Sequence, residues 1–147
     1  MIEYKLRFPY FIDGLNASDE LFRILDIQHS QLNTKWLENN FPILSSGRIN
    51  WNEVPNSISN QWNETSDLVD QFYQIVNTKK LTGKVIVAWD NMNILPIEID
   101  MSICLKYAED IFEESFDTWI CCEKARWCVE VYHEGEICFG NCLLLES

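Results

Sequence analysis

Between Val85 and Gly140 the chain reads as strand, strand, helix and then three strands joined by very short turns. The last three are DTWICCE, WCVEVYHE and EICFGNCLL, separated by Lys124-Ala125-Arg126 and Glu134-Gly135-Glu136. Spacings this short leave room only for antiparallel hairpins. Side chains alternate between faces along a strand, so the meander divides into two sets. Ile120, Cys122, Trp127, Val129, Val131, Ile137 and Phe139 form one and are expected to face a core. Asp117, Trp119, Cys121, Glu123, Cys128, Glu130, Tyr132, Glu134, Glu136 and Cys138 form the other. That second face mixes carboxylates with two aromatic residues. It is expected to be an uncovered binding surface for a basic partner, with Trp119 and Tyr132 as anchors and the acids as a rim; the plainer alternative is a solvated sheet face with incidental aromatics.

VIVAWD, rich in β-branched residues, suits a central strand. ILPIEID follows it, with Pro96 arguing for an edge or a bulge. The run DMSICLKYAEDIFEES predicts one helix, with Met101, Cys104, Leu105, Ala108, Ile111 and Phe112 as its apolar stripe and Asp100 or Ser102 as its cap. Glu109, Asp110, Glu113 and Glu114 then fall in the last turns, where the helix dipole disfavours negative charge. Stability does not explain acids there, so a partner is a reason to keep them.

The first part of the chain gives weaker signals. Glu3 to Phe8 alternates as a strand would, ended by Pro9 and the Asp13-Gly14 turn. Ser18 is expected to cap a short helix carrying Leu21, Phe22, Leu25 and Ile27, and a second helical piece holds Leu32, Trp36 and Leu37 before Pro42. Residues 45–56 read as a loop and Ser57 to Val76 as a longer helix, with Thr65 or Ser66 capping its second half. The whole predicts an α+β fold, an antiparallel sheet with helices mainly packed on one face. At 147 residues it is expected to be a single domain, 1–147, helix-rich to about residue 84 and sheet-rich beyond.

Charge divides unevenly. Residues 1–84 hold ten acids and eight bases, whereas residues 85–147 hold thirteen acids against Lys106, Lys124 and Arg126. The chain's net −12 is therefore almost all in its second part. Such a potential repels nucleic acid and attracts a basic protein, although an acidic surface also serves solubility. No apolar run approaches the ~20 residues of a membrane span. No signal peptide is evident, which places the protein in the cytoplasm and makes its six cysteines reduced thiols.

Chemical sites are poorly supported. Cys128, His133, Cys138 and Cys142 include no closely spaced ligand pair for zinc, and alternation puts His133 opposite Cys128. The cysteines read better as free thiols, in the core or near the surface, where they behave as small hydrophobes. Asp90, Glu98 and Asp100 offer oxygen ligands for a divalent ion but read better as strand-end and helix-capping residues. No phosphate loop, dinucleotide fingerprint or nucleophile elbow occurs. The expectation is no catalysis, no metal and no cofactor.

The stretches IEIDMSICLKYAEDIFEES, DTWICCE and WCVEVYHEGEICFGNC resemble bacterial immunity proteins of contact-dependent growth-inhibition and related polymorphic toxin systems. The resemblance covers about the last sixty residues. It implies a non-enzymatic role: tight binding of a cognate toxin domain, often a nuclease, whose basic surface the carboxylates would cover. The partner-binding residues expected on this reading are Glu109, Asp110, Glu113, Glu114, Asp117, Trp119, Glu123, Glu130, Tyr132, Glu134 and Glu136. A general intracellular adaptor for a basic protein is the alternative, and a thiol- or metal-dependent enzyme the third.

Overall fold

The structure, a computed structural model, describes residues 6–142. Seven strands form one sheet in the order β1-β4-β3-β5-β6-β7-β2, and every neighbouring pair is antiparallel. The strands are β1 (Phe22–Ile24), β2 (Ile58–Gln61), β3 (Lys84–Trp89), β4 (Ile97–Asp100), β5 (Thr118–Cys122), β6 (Trp127–Tyr132) and β7 (Glu136–Asn141). The expected α+β fold is the observed one. The short edge strands come from the first part of the chain, so they flank a sheet whose centre is built by the second.

Helices α1 (Ile12–Ala17), α3 (Thr65–Lys79), α4 (Met101–Lys106) and α5 (Ala108–Glu113) supply the layer against one face. Cross-strand partners set its rows: Val85 beside Ile99, Val87 beside Ile97 and Ile120, then Val129 and Phe139. Leu68, Phe72, Ile75 and Val76 of α3 meet these rows, with Phe72 and Phe112 in edge-to-face contact at 5.2 Å. Each expected inward residue of the meander lies in this core.

Several expectations need correction. The segment from Ser18 does not form a helix carrying Leu21 to Ile27: α1 ends before it, Phe22–Ile24 joins the sheet edge, and α2 (Ile27–Asn40) starts later, capped by Asp26. Ile58–Gln61 is strand rather than helix, because Ile58 and Asn60 pair with Phe139 and Ile137. Only the second part of the helix expected there forms, as α3. Of the strand expected over Glu3–Phe8, residues 3–5 lie outside the described residues, and Arg7 makes one parallel bridge to Ile94.

The expected 100–115 helix is broken at Tyr107, whose amide bonds back to the Ile103 carbonyl in a non-helical conformation. Glu109 and Asp110 thereby stand in the first turn of a new helix, where the dipole favours them. The acidity that looked misplaced is partly well placed.

The larger correction concerns the sheet's other face. Trp36 and Leu37 of α2 pack with Phe41, Ile49, Trp51 and Val54 over Cys121, Cys128, Cys138 and Cys142. The β6–β7 part of the face is therefore enclosed, not solvated. Gly140 makes this possible: a Cβ there would lie 2.7 Å from Val54 Cγ1 and 2.8 Å from Trp51 Cζ3. All six cysteines are free thiols and buried, as small hydrophobes are.

Candidate functional site: an acidic and aromatic end of the sheet

Glu130 is the residue on which the covered face turns. It is 1% exposed, and its carboxylate accepts from Arg48 Nε at 3.1 Å, the Ile49 amide at 2.8 Å, Trp51 Nε1 at 3.0 Å and Trp119 Nε1 at 2.9 Å. A buried charge is tolerable when its acceptor sites are filled in this way. Arg48 also pairs with Glu136 at 3.2 Å and lies over the Tyr132 ring at 3.8 Å. Burial alone would lower the Arg48 pKa, but Glu130 and Glu136 outweigh it and raise it. Glu130 is thus no rim charge, and Trp119 no free anchor. Both hold the 41–54 segment onto the sheet.

The other expected partner residues sort by position. Glu123 lies in the β5–β6 turn, at the far end of the sheet from Glu134 and Glu136. Glu114 is enclosed, with a side chain 2% exposed; it accepts the Tyr10 amide at 2.7 Å and has Arg7 Nη1 at 2.8 Å from Oε2. That second contact is an ion pair without hydrogen-bond alignment, since Oε2 has no hydrogen-bond partner. Asp117 accepts from the backbone and ring nitrogens of His133, at 2.9 and 2.8 Å. This bond raises the His133 pKa. Tyr132 donates to Glu134 at 2.8 Å.

Glu109, Asp110 and Glu113 are exposed, and none pairs with a cation among the described residues. Asp110, Glu113 and Glu114 line a cleft of about 380 Å³ with Tyr10, Phe11, Gly14 and Tyr107. The chain then runs from Glu114 into β5, at the end of the sheet where β3 also stops and the β6–β7 turn lies. Asp90 braces that end, accepting from Ser115 Oγ at 2.8 Å and the Asp117 amide at 3.0 Å. On it stand Tyr10, Phe116 and Met92, exposed by 74%, 72% and 90%. Large apolar side chains so exposed beside unpaired carboxylates compose a surface suited to a basic protein partner.

Sequence reasoning missed Tyr10, Met92 and Phe116, and it read Asp90 as a strand-end residue or ion ligand. The signal for Phe116 was present: an aromatic residue between acids, outside both the helical stripe and the strand alternation. Nothing local marked Arg48 as the partner of Glu130.

The antiparallel α+β scaffold thus carries an acidic, aromatic-studded end. The chain matches the family described as CdiI immunity protein, EcoliA0-like, over residues 10–140, and it belongs to that family. No curated protein compared with it matches. Membership makes it a toxin-neutralising immunity protein, whose partner is a cognate toxin, and suggests a non-enzymatic role. Among the described residues no helix is long and apolar enough to cross a membrane, and no group of three or more His, Cys, Asp or Glu could hold a metal ion.

Proposed function

We propose that the chain neutralises a nuclease-type toxin domain in the cytoplasm by stoichiometric occlusion of that domain's basic surface. The contact is made by the acidic end of the sheet. Asp110, Glu113 and Glu134 attract the partner's Lys and Arg, with Glu109 on the flank, while Tyr10, Met92 and Phe116 pack against it. One observation carries the reading: unpaired carboxylates and strongly exposed apolar side chains share one end of the molecule. Aromatic side chains ringed by charge are the usual carriers of interface energy. Asp117, Tyr132 and Glu136 contribute by holding the loops beneath, and Trp119 and Glu130 by fixing the covered face. Glu114 holds the N-terminal segment, and Glu123 lies outside this contact.

Titrating the cognate toxin domain with this chain tests the proposal. Nuclease activity is expected to reach zero at one chain per toxin, and Asp110→Lys with Glu113→Lys to require a large excess. Activity that survives excess wild-type chain would contradict it.

A further inference from the structure

The covering of the sheet's second face stops short of β3 and β4. Ile86 and Glu98 remain half-buried there, and a groove of about 840 Å³ opens between them and α2. Ile86 and Cys121 line it from the sheet, Leu25 and Leu32 from the β1–α2 side, and Lys84 and Lys124 from its mouth. Leu32 is 63% exposed, and Leu21 and Ile27 in the same part of the chain are exposed too.

The groove's electrostatics invert those of the protein. Arg23 pairs with Glu98 at 3.3 Å, which removes that carboxylate as a free charge. Lys84 stands opposite Asp100, whose carboxylate accepts from the Ser102 hydroxyl at 2.7 Å and amide at 3.0 Å; these bonds, and then the Lys84 charge, lower the Asp100 pKa. Neither Lys84 nor Lys124 forms an ion pair among the described residues. Glu123 is the remaining acid, and burial, with Glu98 nearby, raises its pKa. Lys79, Lys80 and Arg126 belong to the same end of the sheet as Lys84 and Lys124. An otherwise strongly acidic chain thus has a cationic end, and an apolar groove opens there.

We infer that this groove is a second docking site for the toxin, and that it takes an extended toxin segment of alternating apolar and acidic residues. This rests on the immunity reading above. Apolar side chains of the segment lie on Ile86, Leu25 and Leu32, and its carboxylates meet Lys84 and Lys124. The groove crosses β1, β4, β3 and β5. Three inter-strand spacings of ~4.8 Å make it ~14 Å wide, the reach of about four extended residues. A two-ended grip lets a toxin be held at its basic surface and by an acidic segment elsewhere, which raises specificity over other basic proteins.

The sign of a charge change separates this site from general attraction. Lys84→Glu with Lys124→Glu makes the chain more acidic. If the groove is idle, a basic toxin associates equally fast or faster with this variant. The proposal expects dissociation to quicken about tenfold or more, and Leu32→Glu to do the same, because lost short-range contacts appear mainly in the off-rate. A photo-cross-linking residue at Leu32 is expected to label an acidic, apolar stretch of the toxin, and one at Phe116 a basic stretch. Unchanged dissociation in all these variants, with labelling from Phe116 only, overturns the groove and leaves the acidic end standing. Absence of toxin binding by the wild-type chain overturns both.

Discussion

Glu130 holds four donors in a site closed to water, and its replacement leaves several of them unmet at once. Breaking one side of a buried charge pair costs about 3–5 kcal/mol. Glu130→Gln is expected to lower the unfolding free energy by about 3 kcal/mol in urea titration; a loss under 1 kcal/mol would mean that the 41–54 segment is held by its apolar contacts alone. The link between Asp117 and His133 gives a second test. Because the bond raises the folded pKa of the ring, its contribution is fully present below the unfolded value and is lost as pH rises through the raised one. The His133 titration by NMR is expected to have its midpoint above the ordinary ~6.5 and to return toward it in Asp117→Asn. Wild type should accordingly lose stability relative to that variant as pH rises. A midpoint insensitive to the substitution would detach the two residues.

At the scale of elements, the two glutamates that end the α4–α5 region separate cleanly. Glu113 is exposed and unpaired, while Glu114 is enclosed by Arg7 and the Tyr10 amide. Glu113→Gln should change stability by no more than about 0.5 kcal/mol, whereas Glu114→Gln should cost about 1–3 kcal/mol. Equal effects on thermal unfolding would contradict this assignment. The contrast also marks what was legible in the sequence. Alternation along β5, β6 and β7 was enough to give both faces residue by residue, because the period of two is a local property. Whether a face meets water is not local: Trp119, Cys128 and Glu130 read as solvated until Arg48, Ile49 and Trp51 arrive from some eighty positions away. The missed β1 and β2 have the same cause, since three- and four-residue edge strands take their conformation from the strand they pair with. Likewise the break at Tyr107 left no mark in the periodicity, as the apolar stripe continues across it.

Across the whole molecule, charge is segregated along the strands. Asp90, Glu113, Asp117, Glu134 and Glu136 gather at one end of the sheet, and Lys79, Lys80, Lys84, Lys124 and Arg126 outnumber Asp100 and Glu123 at the other. A separation of this kind orients an approaching basic partner as well as attracting it. The immunity role follows from family membership, and the particular surface is the claim that needs measurement. The direct test is the association rate of the cognate toxin domain with wild-type chain and with Asp110→Lys, Glu113→Lys, from low ionic strength to well above physiological. Screening shortens the reach of charge to ~8 Å at 0.15 M. The wild-type rate is expected to fall steeply with salt, and the reversal to slow association about tenfold at low salt while changing dissociation much less. Association that ignores both salt and the reversal would contradict the assignment of the acidic end as the toxin-binding surface.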